Sequence, residues 1–166
     1  MNTTINTVSV ADGARDFDFF IGNWQVRHRR LKERLASCDE WLEFNGSTSV
    51  IAILGGAGNM DDNVLDMPGC TYRAATLRSF DIEKGIWSIW WLDGRYPTHL
   101  DTPMQGRFEN GAGKFYADDT FTGKPIRVRF IWSMPAPDQP RWEQAFSVDG
   151  GISWETNWIM NFQRAE

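Results

Sequence analysis

Alternation of apolar and polar residues with a period of two is the feature that most constrains the fold of this chain. Between Asn23 and Leu31, the set that contains Trp24, Val26 and His28 lies on one face of an extended strand. The residues between them lie on the other face. Similar patterns return along most of the chain, and helical periodicity is absent. The sequence therefore predicts an all-β protein.

Turn signals divide the chain into about nine strands with mostly short connections. Asn110-Gly111 is the strongest hairpin signal, because this dipeptide suits the tight turn between two antiparallel strands. A single helical turn is expected near residues 17–21, ahead of the first strand. The prediction is an antiparallel up-and-down barrel with a short N-terminal helical turn. The predicted strands are 23–31, 41–54, 71–81, 86–93, 104–109, 114–120, 126–132, 141–148 and 153–164.

The stretch between the second and third predicted strands contains glycines followed by acidic residues. No Gly-Lys-Ser/Thr sequence follows the glycines, so a phosphate-binding loop is not indicated. The residues Asp61, Asp62, Asn63 and Asp66 lack the spacing of a calcium loop. We therefore interpret this stretch as a wide turn at the barrel rim, with its acids in solvent.

Length and charge limit the domain count and the classes of partner. The 166 residues suit one domain, predicted at 16–166 after a flexible N-terminal leader at 1–15. The formal net charge of −5 and the pI of about 5.0 argue against nucleic acid and anionic membranes as partners. Cys38 and Cys70 do not form a C-x-x-C motif, and no signal peptide is recognised. A cytoplasmic protein with free thiols is expected.

Inward-facing positions of the predicted barrel define a candidate site. A binding module that holds a small apolar or aromatic molecule in the interior is favoured, without a cofactor or a metal ion. The alternatives are haem ligated by His28, acid–base catalysis by Glu143 or His28, and an interaction protein whose barrel is filled with side chains. The candidate ligand-binding residues are Trp24, His28, Arg30, Phe130, Trp132, Trp142, Gln144, Phe146, Thr156 and Trp158.

A second set of polar residues, Arg129, Glu143 and Asn157, has the opposite parity on three successive strands. We expect a polar ladder on the exterior. If the parity is reversed, these three residues form the pocket instead. The barrel face that points inward on these strands is therefore left open by the sequence.

The segment 86–93 is apolar on both faces, with Trp87 and Trp91 on one and Trp90 and Leu92 on the other. One of these pairs faces outward in a monomer. Since aromatic residues are enriched in the cores of interfaces, we expect a homodimer through the Trp90 surface. The alternative is that a segment of the same chain covers Trp90.

The two ends of the chain carry a pattern that resembles lipocalin and calycin barrels. In those barrels a G-x-W sequence on the first strand meets an arginine of the last strand, and here the matching residues are Gly22, Trp24 and Arg164. More broadly, the chain resembles an uncharacterised bacterial family of domains of unknown function. That resemblance rests on the segments 16–31, 91–95 and 141–158. It implies a lipocalin-like barrel and supplies no established catalytic residues.

Overall fold

A computed structural model describes residues 10–165 of the chain. Within that range, ten antiparallel strands form a closed barrel in which each strand pairs with its sequence neighbours and the last pairs with the first. The predicted fold class is confirmed, with ten strands instead of about nine. The strands are β1 (Gly22–Leu31), β2 (Trp41–Ile53), β3 (Gly58–Met67), β4 (Cys70–Asp81), β5 (Ile86–Asp93), β6 (Met104–Glu109), β7 (Ala112–Phe121), β8 (Lys124–Ala136), β9 (Gln139–Ser147) and β10 (Glu155–Arg164).

Short 3-10 helices at Val10–Arg15, Asp18–Phe20 and Leu54–Gly56 complete the secondary structure. Residues 1–9 of the expected leader lie outside the described residues. The part of the leader that is described packs on the barrel, because Trp87 Nε1 donates a hydrogen bond of 3.0 Å to the carbonyl oxygen of Gly13.

The tenth strand is β3, in the segment whose glycines and acidic residues predict a turn at the rim. That interpretation is wrong: Asp61 lies opposite Thr76 of β4 and Val50 of β2, so β3 pairs on both sides. The inward row of β3 begins with Asn59, Asp61 and Asn63 before an apolar residue appears. A polar inward row hides the apolar alternation on which the prediction depends.

Closure of the barrel depends on a contact between the first and last strands. Trp24 lies opposite Arg164, and the Arg164 guanidinium lies 4.0 Å from the centroid of the Trp24 ring. Arg164 also donates hydrogen bonds to the carbonyl oxygens of Ile21 at 2.7 Å and Phe19 at 3.1 Å. Gly22 has φ +124°, and a Cβ atom there would collide with Arg164. A glycine is therefore needed where the arginine crosses the chain.

The 3-10 helix Asp18–Phe20 and the residue before it close one end of the barrel with aromatic rings. Phe17 makes edge contacts with Trp87 and Phe108 at centroid distances of 4.9 and 4.8 Å. Phe20 lies 4.7 Å from Trp132 and 4.9 Å from Phe162. Both phenylalanines are 1 % exposed. We call Phe17 and Phe20 the plug, since they cover this end of the interior.

The hairpin between β9 and β10 is organised by the carboxylate of Asp149. It accepts hydrogen bonds from the backbone N–H groups of Ile152 and Ser153 at 3.1 and 2.9 Å, and from the Ser147 hydroxyl at 2.7 Å. Hydrogen bonds from Ser153 are the main cause that lowers the pKa of Asp149 to about 2. The side chain therefore satisfies the turn amides in its charged form, which is a structural role.

No helix among the described residues has the length and apolar character needed to cross a membrane.

Candidate ligand-binding cavity

A cavity of about 660 Å³ occupies the barrel interior. Phe20 of the plug lies at its floor, and its mouth is at the opposite end, where Tyr96 and His99 of the β5–β6 connection and Thr120 of β7 line it. The volume falls within the range of about 300–1,000 Å³ that is typical of small-molecule sites. The barrel is therefore plugged at one end only and is not filled with side chains.

Aromatic side chains form the wall of the cavity on β8, β9 and β10. Trp142 and Trp158 meet edge to face with ring centroids 5.4 Å apart, and Phe130 lies 4.8 Å from Trp142. Trp91 of β5 reaches Trp158 from across the interior at 6.0 Å. These inward positions alternate along their strands because of the pleat. The wall offers flat apolar surfaces to a ligand.

Seven of the ten predicted ligand-binding residues line this cavity. Trp24 does not, because it lies beyond Phe20 in the closure contact, where its Nε1 donates a hydrogen bond of 2.8 Å to the Phe20 carbonyl oxygen. His28 and Thr156 also lie outside the lining. The seven that line the cavity are Arg30, Phe130, Trp132, Trp142, Gln144, Phe146 and Trp158.

The inward position predicted for Thr156 is wrong because a β-bulge interrupts β10. Thr156 lies opposite Ala145, whereas Trp158 lies opposite Gln144, so the register shifts between them. Ala145 has the outward parity of β9, and Thr156 shares its face. The extra residue in the bulge is Asn157, which is fully buried and accepts a hydrogen bond of 2.8 Å from Gln144 Nε2.

The predicted polar ladder is not formed, although Arg129 and Glu143 have the outward parity that was predicted for them. Arg129 lies opposite Ala145, and Glu143 lies opposite Ile131 and Ile159, so the polar side chains are not cross-strand neighbours. Neither Glu143 nor Arg129 lines the cavity. The Arg129 guanidinium packs on the Trp154 ring of the β9–β10 hairpin at 4.4 Å. The alternative pocket of Arg129, Glu143 and Asn157 is therefore not formed.

His28 lies behind the aromatic wall. Its ring stacks on Phe44 at a centroid distance of 4.6 Å, and Nδ1 accepts a hydrogen bond of 3.1 Å from Trp158 Nε1. Nε2 lies over Gly46 of β2, where a Cβ atom would approach it to 2.8 Å. Both nitrogens are thus directed at the barrel wall, and His28 orients the Trp158 ring from behind.

Protonation of His28 should couple the stability of the barrel to pH. Burial, followed by the charges of Arg30 and Arg27, lowers the pKa of His28 to about 3. Unfolded histidine has a pKa of about 6.5, so the unfolded chain alone binds this proton between pH 6.5 and pH 3. The free energy of unfolding should therefore decrease as the pH falls through this window, with a contribution from His28 of up to about 1.4 kcal/mol per pH unit.

Urea unfolding of the wild type and of His28→Gln at a series of pH values between 7.5 and 4 measures this contribution. The difference in unfolding free energy between the two proteins should shrink as the pH falls, because the variant lacks the titrating group. A difference that stays constant over this range contradicts the assignment of a neutral, buried His28.

A buried polar cluster lies at the floor of the cavity. Arg78 Nη1 lies 2.8 Å from Asp61 Oδ2 and donates a hydrogen bond of 2.8 Å to Asn59 Oδ1. The Asp61 carboxylate also accepts hydrogen bonds from Thr76 N at 2.9 Å and from Asn63 Nδ2 at 2.5 Å. The ion pair is only 5 % and 2 % exposed. Within residues 10–165, Arg78 Nε is buried without a hydrogen-bond partner, and Arg78 is one of the residues that line the cavity.

A second polar cluster surrounds the mouth. The Arg30 guanidinium lies 4.5 Å from the Trp158 ring centroid, and its Nη1 approaches the Tyr72 hydroxyl at 3.5 Å. Arg95 lies 3.7 Å above the Tyr72 ring and forms an ion pair of 2.8 Å with Asp93. Burial is the main cause that raises the pKa of Tyr72, so this phenol stays neutral and remains able to donate a hydrogen bond.

None of the polar residues at the cavity floor is among the ten ligand-binding residues predicted from the sequence. The sequence does contain a signal for this cluster. Polar residues alternate at 59, 61 and 63, and the same alternation is found at Thr76 and Arg78 on β4. A strand with polar residues at inward positions predicts either a functional interior or a buried network. That signal needs the neighbouring strand for its interpretation, because neither segment is distinctive alone.

The function has to be inferred from the cavity, because comparisons with known proteins give no match. No model of a known protein family matches this chain, and no curated protein matches it. Among the described residues, no group of three or more histidine, cysteine, aspartate or glutamate side chains is placed to hold a metal ion.

Proposed function

We propose that this protein binds a small apolar or aromatic molecule inside the barrel. The cavity of about 660 Å³ carries the proposal. The aromatic side chains of this chain have enough bulk to fill a barrel, so an interior that they leave open favours a bound ligand. Trp142, Trp158 and Phe130 provide flat surfaces for the ligand body. Gln144 on the wall and Arg78 at the floor supply polar contacts that orient it, the usual composition of a ligand site.

A cavity-filling substitution tests this proposal. Val128 lines the cavity from β8, and Val128→Trp should place an indole in the volume that the ligand needs. Isothermal titration calorimetry with 2-naphthol as the probe should give one site per wild-type chain. In Val128→Trp the affinity should fall by at least about tenfold, since the lost contacts of a ring are worth more than about 1.4 kcal/mol.

Lys114→Trp is the matched control, because Lys114 lies on the neighbouring β7 strand and is exposed. This variant should bind 2-naphthol as the wild type does. If Val128→Trp binds 2-naphthol as tightly as Lys114→Trp does, the ligand does not occupy the barrel interior.

The outer surface around Trp90 supports self-association as a second part of the proposal. Four outward residues, Ile51, Met60, Leu77 and Trp90, are successive cross-strand partners on β2, β3, β4 and β5. We call them the outer apolar row. Ile51 is 51 % exposed, and Met60 and Leu77 are each 41 % exposed. A continuous apolar row on a sheet face is typical of an interface, and a symmetric homodimer is the simplest assembly that covers it.

Replacing Leu77 with glutamate should dissociate this dimer. A charge at the centre of an apolar interface costs several kcal/mol, so sedimentation equilibrium should show a dimer mass for the wild type and a monomer mass for Leu77→Glu. Thr71→Glu adds the same charge to the same face of β4, away from the row, and should leave the dimer intact. A monomer mass for the wild type at micromolar concentration contradicts the proposal.

We also propose that the barrel is lipocalin-like and that the protein is cytoplasmic. The Trp24–Arg164 contact supports placing the barrel with lipocalin-like folds, although ten strands form it. Cys38 and Cys70 are free, which fits the reducing cytoplasm.

A further inference from the structure

Two arginines at the mouth of the cavity form no ion pair among the described residues, and the Asp93 carboxylate, which pairs with Arg95, acts on one of them only at longer range. Arg30 belongs to the end of β1, and Arg34 belongs to the connection between β1 and β2. Three other basic side chains that line the cavity are neutralised by an acid. Those pairs are Lys32–Glu40 at 2.7 Å, Arg78–Asp61 at 2.8 Å and Arg95–Asp93 at 2.8 Å.

Both unpaired guanidinium groups are held by aromatic rings of the cavity lining. Arg30 packs on Trp158, and Arg34 lies 4.8 Å from the centroid of Phe121 and 5.7 Å from that of Phe146. Stacking uses the face of a guanidinium and leaves the N–H groups in its plane free to donate. Two sets of donors are thus positioned at the mouth beside the hydroxyl of Tyr72.

The position of Arg34 is fixed by its neighbour in the chain. The backbone N–H of Leu35 donates a hydrogen bond of 2.8 Å to Glu155 Oε1 at the start of β10. Burial, followed by repulsion from Arg30, lowers the pKa of Arg34. The fold therefore holds two like charges near each other and partly out of water, an arrangement that an anion between them stabilises.

We propose that the ligand of this cavity carries a carboxylate, which Arg30 and Arg34 bind at the mouth with Tyr72, while its aromatic or alkyl body lies against Trp142 and Trp158. This inference rests on the proposed function, since it names the chemical class of the ligand. Paired guanidinium donors bind carboxylates through strong charge-assisted hydrogen bonds.

The other charged groups in the cavity are consistent with this placement. At the floor, Asp61 would repel an anion, although Arg78 is near it. Asp101 and Asp119 also line the mouth, and burial together with the charge of Asp119 raises the pKa of Asp101. These two carboxylates repel an anion from their part of the rim. The side formed by β1 and the β1–β2 connection is therefore the place for the head group.

Two pairs of probes test the inference, and in each pair an anion and a neutral molecule share the same hydrocarbon body. They are 1-naphthaleneacetate with 1-naphthaleneacetamide, and decanoate with decanol. Calorimetric titrations use the full-length wild type, Arg30→Gln, Arg34→Gln and Arg29→Gln. Arg29 is the matched control because it adjoins Arg30 but lies on the outer face, where it pairs with Glu43 at 3.2 Å. Thermal unfolding of each variant checks that the barrel is intact.

The wild type and Arg29→Gln should prefer the anionic member of each pair. Arg30→Gln and Arg34→Gln should weaken binding of the anions by about 10- to 100-fold, the range for losing a hydrogen bond to a charged group. Binding of the neutral members should change by less than about threefold, since they lack the charge. Loss of anion binding in these two variants alone supports the inference.

Equal affinities for the anionic and neutral members in the wild type overturn the inference and leave the proposed function standing. The same holds if both Arg30→Gln and Arg34→Gln retain the preference for the anion. If no member of either pair binds the wild type, both the inference and the proposed function are contradicted.

Discussion

Replacing Arg78 with methionine is expected to destabilise the barrel by about 3–5 kcal/mol, because it leaves the Asp61 carboxylate buried without its cation. The pair is 2.8 Å apart, and its side chains are 5 % and 2 % exposed. The guanidinium also packs within 5.4 and 5.3 Å of the plug residues Phe17 and Phe20. Urea unfolding followed by tryptophan fluorescence measures the loss.

The neighbouring pair on the same two strands is a matched control. Arg73 and Asp62 are 2.6 Å apart on the outer face, with side chains 63 % and 62 % exposed. Arg73→Met should cost less than about 1 kcal/mol, because water screens the pair and solvates the carboxylate that remains. Similar losses for Arg78→Met and Arg73→Met contradict the view that burial determines the strength of the floor pair.

A double variant separates the charge from the packing. If the cost of Arg78→Met comes from an uncompensated carboxylate, then Asp61→Asn combined with Arg78→Met should be more stable than Arg78→Met alone. A double variant that loses the sum of the two single losses shows that the two side chains contribute independently.

The second large effect is expected at the plug. Phe20→Ala should destabilise the protein by about 3–5 kcal/mol, the usual cost of removing a fully buried phenylalanine ring. Phe20 contacts Trp24, Trp132 and Phe162, so its loss leaves a void where the first and last strands meet. Chemical unfolding of the variant measures the effect.

Phe19 provides the comparison, since it belongs to the same helical turn and is only half-buried. Phe19→Ala should cost clearly less than Phe20→Ala. If the two losses are equal, the plug does not close the barrel through Phe20, and the floor of the cavity needs another explanation.

The sequence predicts those parts of the fold where one face is apolar. On β9 the alternation of Trp142, Gln144 and Phe146 places all three on the cavity wall. The turns carry their own local signals, such as Asn110-Gly111 between β6 and β7. Burial of the apolar face determines the register of such strands, and this is why seven candidate positions lie together in the interior.

Three features could not be predicted because they depend on contacts between distant segments. The strand β3 turns polar residues inward, and only Arg78 of β4 explains why Asp61 is buried. The bulge at Asn157 reverses the parity of Thr156, and periodicity cannot detect a single inserted residue. Arg34 lies in a connection, where no alternation indicates which way its side chain points.

The most direct test of ligand binding inside the barrel is a crystal structure of the wild-type protein with 6-bromo-2-naphthol. Anomalous scattering locates the bromine independently of the fit of the ring. We expect a bromine peak within the barrel, with the naphthalene ring against Trp142 and Trp158 and the plug in place. A bromine peak only on the outer surface, or an interior filled by repacked side chains, contradicts it.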